Sequence, residues 1–124
     1  MGPHEGALAV STPRDDVYLI TVRGVLDRVL STRLLRMVDT RVRVVRDAGG
    51  CLTRHLLIDM SPVVAVGRGA LELLEHARHS TGVHGVTLHL TAPDPEMWRP
   101  SARAREIITS IGTFPSVALA LRAL

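Results

Sequence analysis

The sequence predicts a single α/β domain, a mixed β-sheet with crossover helices in the order ββαβαβαα. Short runs rich in β-branched residues alternate along the chain with longer segments whose apolar residues recur at helical spacing. The run from His55 to Asp59 is apolar at its centre without alternation, which is typical of a strand buried on both faces of a parallel sheet. A chain of 124 residues, 46% of them hydrophobic, supports one core and is too short for two.

Four strands are expected. Residues 17–23 are rich in β-branched side chains and are bounded by a polar turn before and by Gly24 after, which predicts a strand. Residues 7–12 precede that turn and are the expected hairpin partner. The remaining two strands are expected at residues 55–59 and 86–90.

Four helices are expected between and after these strands, at residues 31–47, 69–81, 104–111 and 117–124. In the first helix the apolar residues fall on one arc with arginines opposite, and this arc comprises Leu34, Leu35, Val38, Val42 and Val45. In the second helix the inward positions are Leu71, Leu74 and Ala77. Ser116 is expected to cap the last helix.

The basic character of the chain does not indicate nucleic-acid binding. The sequence pI is about 10.4, but the net charge is only +3. All 15 basic side chains are arginine, so only Cys51, Tyr18 and the α-amino group lose a proton between neutrality and the arginine range. Aromatic residues make up 2% of the chain, too few for the stacking platform of a single-strand or RNA binder. No direct nucleic-acid partner is expected.

Cysteine content and hydropathy predict a cytoplasmic protein without membrane insertion. The single Cys51 excludes an intrachain disulfide and a cysteine-rich zinc site. No run approaches the roughly 18 apolar residues of a membrane span, and the first residues lack the pattern of a secretion signal. Ser61, Ser110 and Cys51 have no pattern that places a histidine and an acid beside them. We therefore expect no enzyme activity, no catalytic residue and no cofactor.

Three motifs, in this order, carry a resemblance to a known family. They are Gly24-Val25-Leu26-Asp27 after the early strand, LLIDMS from Leu56 to Ser61, and FPSVALALRAL from Phe114 to Leu124. Together with the order of elements they resemble the STAS domain, whose members include the bacterial anti-sigma factor antagonists. The resemblance covers residues 7–124 and leaves residues 1–6 as a short N-terminal tail. It implies a non-enzymatic protein-interaction module in bacterial regulation.

The sequence departs from the family pattern at the start of the second helix. The family carries Asp-Ser-Ser-Gly there, and in the antagonists a partner kinase phosphorylates the first serine. Counting from Asp59, this chain has Gly67-Arg68-Gly69-Ala70, so Arg68 stands in the position equivalent to the family phosphoserine. A phosphate at a helix N-terminus adds about −1.5 to −2 charge as a switch, which an arginine cannot provide. The resemblance therefore implies a divergent member without the usual serine phosphorylation.

The partner that the resemblance implies is an anti-sigma factor, a related kinase or another STAS protein, and a homodimer is also compatible with it. The contact residues would be Asp27, Gly67, Arg68 and Gly69, with the second helix beside them. Two alternatives stay open. In one, a STAS-type module holds an anionic small ligand, such as a nucleotide or lipid headgroup, through Arg68 and the surrounding amides. In the other, the chain is a STAS subunit of a larger transport or signalling complex.

Each candidate contact residue also has a purely structural interpretation. Asp27 fits a turn and helix-start residue ahead of Ser31. Gly67 and Gly69 fit a tight turn that needs glycine for its backbone angles. A cation such as Arg68 is unfavourable at a helix N-terminus by about 0.3–1 kcal/mol, so it either meets an acidic partner group or lies in water.

Three further features are expected to be structural. The second helix carries four side chains one turn apart that predict a solvated face rather than a metal site, namely Glu72, Glu75, His76 and His79. Met37 and Val44 lie on the flank of the first helix, where an exposed apolar strip rimmed by arginine could receive a partner, although a solvated face is the default. Trp98 lies in a proline-rich loop and is expected to cover the core.

Overall fold

The computed structural model describes residues 6–47, 52–67, 69–94, 96 and 102–124. The strands are β1 (Ala7–Arg14), β2 (Val17–Leu26), β3 (His55–Asp59), β4 (Val63–Val66), β5 (Thr87–Thr91) and β6 (Gly112–Phe114). The helices are α1 (Arg28–Asp47), α2 (Ala70–Val83), α3 (Ala102–Ser110) and α4 (Val117–Ala123). Every predicted strand and helix is present, with its ends shifted by up to a few residues.

The sheet is mixed, as predicted. Its strand order is β1-β2-β3-β5-β6, and β4 pairs with β2 off this path. β1 and β2 form the predicted antiparallel hairpin, whereas the pairs β2–β3, β3–β5 and β5–β6 are parallel. Parallel neighbours need a crossover connection, and α1 provides it between β2 and β3 as α3 does between β5 and β6. The predicted α/β class with crossover helices is confirmed.

Two short strands, β4 and β6, are missing from the predicted order, which in the structure becomes ββαββαβαβα. β4 has four residues and directly follows Pro62, and its central Val64 and Ala65 are exposed. β6 has three residues. Hydrophobic periodicity cannot identify strands of this length, because they contain at most one full alternation. The predicted order ββαβαβαα is incomplete at these two places.

The main core lies between the sheet and the helices α1 and α2. Among its fully buried members are Ile20, Leu34, Ile58, Leu74 and Leu90. On α1 the predicted arc is confirmed, since Leu34, Val38 and Val42 are buried while Leu35 and Val45 are half-buried against the core. On α2 the predicted inward positions pack on the same core, and Leu73 joins them. This core fixes both helices against one face of the sheet.

The other face of the sheet carries a smaller core under α4, made of Val17, Leu19, Leu57 and Ala120. Ser116 caps α4 as predicted, because its Oγ accepts a hydrogen bond from the backbone N–H of Leu119 at 3.1 Å. Arg14 holds the far end of this helix, donating from Nη1 to the carbonyl oxygens of Leu121 and Leu124 at 2.8 and 3.0 Å. A seven-residue helix is thus held at both ends.

β2 has two successive parallel partners, and this determines where α1 and α2 begin. Its first half pairs with β3, from Val17 opposite His55 to Thr21 opposite Asp59. Its second half pairs with β4, where Leu26 lies opposite Val66. Both helices start a few residues beyond that last pair, so their N-termini lie side by side.

Candidate partner-binding surface

The ends of β2 and β4 bring Asp27 and Gly67 together. The N–H of Gly67 donates to the carbonyl oxygen of Leu26 at 2.8 Å, which continues the parallel ladder one residue past β4. A Cβ placed on Gly67 would lie 3.3 Å from the Cα of Asp27 and 3.5 Å from the carbonyl oxygen of Leu26. Both neighbours are backbone atoms, so the chain segments can approach this closely because residue 67 is glycine.

Gly69 starts α2 in the left-handed conformation, with a φ of 90°. Its carbonyl oxygen accepts the N–H of Leu73 at 3.0 Å, and it provides no side-chain cap. A Cβ on Gly69 would lie 3.7 Å from the Cα of Arg28. Gly67 and Gly69 therefore both lie against the start of α1. The tight turn that the sequence predicts includes residue 68, which lies outside the described residues, so the turn stays a prediction.

Asp27 caps α1. Its Oδ1 accepts the N–H of Leu30 at 2.9 Å, and its carbonyl oxygen accepts the N–H of Ser31 at 2.8 Å. This is the helix-start role that the sequence allows, and it explains why α1 begins at Arg28 and not at Ser31 as predicted. Asp27 is nevertheless exposed, so a partner can reach its side chain.

A groove of about 250 Å³ runs from these N-termini between α1 and α2. Arg28, Thr32 and Leu35 line it from α1, and Glu72 and His76 line it from α2. Both signs of charge border the groove, which suits a polar protein surface better than a single anionic ligand. Sequence reasoning missed this groove, because it depends on the pairing of β4 with β2.

A comparison with protein-family models finds that residues 9–120 match the model of the STAS domain. The chain belongs to the STAS family. The match spans both helix N-termini of the partner-binding surface, and the resemblance drawn from the three sequence motifs is confirmed. None of the curated proteins matches the sequence.

Solved structures of anti-sigma factor antagonists have the same architecture. An anti-sigma factor antagonist from Mycobacterium paratuberculosis superimposes with a TM-score of 0.76 at 22% identity, covering 98% of this chain and 96% of that one. The anti-sigma factor antagonist SpoIIAA in its unphosphorylated form gives 0.69 at 11% identity, covering 94% and 96%. The phosphorylated form of SpoIIAA, a Bacillus cell fate determinant, gives 0.69 at 12% identity, covering 95% and 100%. These likenesses show the fold.

Three residues singled out in the STAS sequence lie outside the described residues. Arg68 is one of them, so its place opposite the family phosphoserine rests on the sequence and stays a prediction. Cys51 and Trp98 are the other two, and the expectation that Trp98 covers the core also stays untested. The structure does place the neighbours of Arg68, since Gly67 and Gly69 pack on the start of α1.

The outward side chains of α2 form contacts with other helices of the STAS domain. Glu75 accepts from Arg103 of α3, with 2.6 Å between Oε1 and Nη2. His76 Nε2 lies 3.4 Å from Asp39 Oδ1 of α1. Within the described ranges, no three histidine, cysteine or acidic side chains cluster in a way that could hold a metal ion. The four predicted outward residues thus include two that link α2 to its neighbours.

The apolar strip on α1, which the sequence offered as the alternative to a solvated face, is not present as a continuous surface. Met37 is half-buried and packs against the main core, so it is not available to a partner. Val44 is 39% exposed, but Met37 does not extend its exposed apolar surface. Helical spacing placed both residues on one flank, but the core extends further around α1 than the apolar arc predicted.

The described helices include none with the length and apolar character needed to cross a membrane.

A pair of histidines, one buried and one half-buried, lies on the α4 face of the STAS sheet, and sequence reasoning missed it. His89 is 7% exposed, and its Nε2 lies 3.2 Å from Nδ1 of His55. Burial lowers the pKa of His89, and the neighbouring His55 lowers it further. Gly112 makes room for this ring, because a Cβ there would lie 2.9 Å from Nδ1 of His89. The pairing of β3, β5 and β6 brings these residues together.

Proposed function

We propose that this STAS domain is a non-enzymatic regulatory module that binds an anti-sigma factor, a related kinase or another STAS protein. The observation that carries this proposal is the meeting of two helix N-termini, where Gly67 packs on the backbone of Asp27 and Gly69 on that of Arg28. The resulting surface joins residues 27, 67 and 69 in a fold that an anti-sigma factor antagonist shares over nearly its whole length. We assign the module to the bacterial cytoplasm.

The surface fits a protein partner with an acidic group at its centre. Arg28 is exposed and lies beside Gly69, and the sequence places a second arginine, Arg68, between the two glycines. Guanidinium groups bind carboxylates through two parallel hydrogen bonds, and such contacts select the partner as well as hold it. Exposed Asp27 precedes Arg28 in the chain and exposed Glu72 lines the same groove as Arg28, so a partner needs both signs of charge in a matching arrangement.

The interaction is not switched by serine phosphorylation at the family position. Arg68 has no hydroxyl group to accept a phosphoryl group, and its charge is fixed at any physiological pH. The nearest serine along the preceding chain, Ser61, already donates from Oγ to Oδ2 of Asp59 at 3.1 Å, within a turn that its own N–H also closes. The domain is therefore a constitutive binder, in which the bound fraction depends on the concentration of the partner and is not switched at this position.

Binding to the anti-sigma factor kinases of the same genome tests this proposal. Arg68→Glu reverses one charge at the surface and is expected to weaken binding at least about tenfold, because it replaces an attraction with a repulsion. Arg122→Glu makes the same change on exposed α4, at the other face of the sheet, and is the matched control. The affinity of Arg122→Glu for the partner should stay within about twofold of the wild-type affinity, since salt screens a charge on the opposite face of the sheet.

Two results would overturn the proposal. One is the absence of binding to every kinase at concentrations where a serine-bearing STAS homologue binds. The other is an equal loss for Arg68→Glu and Arg122→Glu, which would indicate a general charge effect. Incubation with the same kinases and ATP, followed by mass spectrometry, should leave residues 59–70 unmodified. Stoichiometric phosphate on Ser61 would contradict the absence of a switch.

A further inference from the structure

A second cavity lies at the carboxyl edge of the sheet, where β5 and β6 finish. Its volume is about 630 Å³, within the range of roughly 300–1,000 Å³ that small-molecule sites occupy. Ala92 and Pro93 border it just after β5, and Phe114 and Pro115 border it at the end of β6. In open α/β sheets, ligands bind outside the carboxyl ends of the parallel strands, which is where this cavity opens.

The walls of this cavity are mostly apolar, with one charge. Pro93, Ile108, Phe114 and Pro115 supply hydrocarbon surface. Among the described residues that line it, Arg105 of α3 alone is charged. An apolar chamber with a single cation at its wall is complementary to a molecule that has an apolar body and one negative group.

Arg105 differs from its neighbour on the same helix in having no acidic partner. Arg103 donates from Nη2 to Oε1 of Glu75 at 2.6 Å. The guanidinium of Arg105 makes no hydrogen bond or ion pair with any other residue in the described ranges, although its carbonyl oxygen accepts the hydroxyl of Thr109 at 2.7 Å. Arg105 is therefore free to bind an anion without first breaking an ion pair within these ranges.

The backbone at the mouth of the cavity is held in an uncommon conformation. Ala92 has a φ of 52°, in the left-handed region that non-glycine residues seldom adopt. Its N–H donates to the carbonyl oxygen of Phe114 at 2.8 Å, which ties the end of β5 to the end of β6. Strained residues of this kind persist where the surrounding structure fixes them, and ligand clamps are one such place. The contact fixes the spacing between the two strand ends that border the cavity.

From these observations we infer that the cavity is a binding site for a small amphiphilic carboxylate. The carboxylate pairs with the guanidinium of Arg105, and the hydrocarbon part lies against Pro93, Ile108 and Phe114. The site is separate from the surface around Asp27 and Gly67, so it does not rest on the proposed partner binding. The chemical class of the ligand is a monocarboxylic acid with an aliphatic or aromatic body.

Titration of the full chain with octanoate, followed by amide chemical shifts in NMR, tests this site. Octanoate has both the charge and the apolar body, whereas 1-octanol lacks the charge and acetate lacks the body. We expect octanoate to shift the amides of Ile108, Thr113 and Phe114 in a saturable way, and the other two to bind at least about tenfold more weakly. Arg105→Ala should weaken octanoate binding by a similar factor, and Arg103→Ala, on the same helix outside the cavity, should leave it unchanged.

Each remaining outcome argues against the site. If octanoate produces no saturable shift, or shifts only amides around Gly69, the cavity does not bind carboxylates. If 1-octanol binds as well as octanoate, or if Arg105→Ala binds like the wild type, the cavity does not select an anion. The amide spectrum of each variant shows directly whether it is folded, so a loss of binding through misfolding is distinguished from a loss of the contact.

Discussion

The helices α1 and α2 begin side by side but in opposite ways. α1 begins after Asp27, whose own carboxylate accepts the N–H of Leu30 at 2.9 Å. α2 begins at Gly69, which is left-handed and contributes no side-chain cap. The start of α1 is thus capped by a side chain, whereas Gly69 supplies none at the start of α2. The comparison separates two contributions, because Asp27 stabilises its helix start while Gly69 belongs to the start at which we propose that a partner binds.

The largest expected effect comes from removing the conformational freedom of Gly69. Gly69→Ala should lower the free energy of unfolding by about 1–2 kcal/mol, because an alanine is strained at a φ of 90°. The strain is conformational and not steric, since the new Cβ would meet nothing closer than 3.7 Å. Urea denaturation monitored by circular dichroism measures the change.

Gly82→Ala is the matched control for this prediction. Gly82 lies near the other end of α2, and a Cβ there would meet nothing within 4 Å. The same substitution should therefore raise the free energy of unfolding by about 0.5–1 kcal/mol, since alanine favours helix more than glycine does. If the two variants changed stability in the same direction, the left-handed start of α2 would not be a requirement of the fold.

A smaller effect is expected at the start of α1. Asp27→Ala removes the cap and should cost about 1 kcal/mol of stability, whereas Asp27→Asn keeps a capping oxygen and should cost much less. The pair also separates capping from charge in partner binding. If the carboxylate contacts the partner, Asp27→Asn will weaken binding while retaining stability. Equal stability of the two variants would show that the hydrogen bond to Leu30 does not support α1.

The two helix starts also differ in how far the sequence predicts them. Asp27 was recognisable from the Gly24 to Asp27 motif, and its capping role follows from its position ahead of an amphipathic helix. The contact between Gly67 and Asp27 was not predictable, because it depends on β4, a strand of four residues without a hydrophobic alternation. Local patterns identify each helix start, whereas their juxtaposition arises from strand pairing.

On the sheet face under α4, too, the sequence predicts the strands but not the contacts between them. Periodicity predicted β3 and β5, including the buried centre of β3 from Leu56 to Ile58. Periodicity gave no reason to expect that His89 is buried beside His55, since a histidine in a strand is equally compatible with a buried and with an exposed face. His89 lies beside His55 because of the register of β3 with β5, and the glycine at position 112 leaves room for its ring. Burial of a polar ring is a tertiary property that single-strand patterns do not contain.

The smallest expected effect is a change in the free energy of unfolding with pH. Because burial and His55 lower the pKa of His89 below its usual 6.5, the unfolded chain binds a proton there more readily than the folded one. Stability from this group is therefore complete above about pH 6.5 and falls as the pH drops towards the lowered pKa of the folded state. His89→Gln should reduce this slope in denaturation measured between about pH 7.5 and 5.5, and an unchanged slope would show that His89 does not contribute to it.

The histidine pair belongs to the sheet face opposite α1 and α2, so its protonation should leave their N-termini unaffected. The costs of Gly69→Ala and Asp27→Ala should each be the same at the two ends of this pH range, because distant sites contribute additively to stability. A cost that changes with pH for one variant and not the other would couple that helix start to the histidines. In that case the free N-terminus of α2 would not be independent of the α4 face, and a pH change could alter partner binding without any change in charge at the surface.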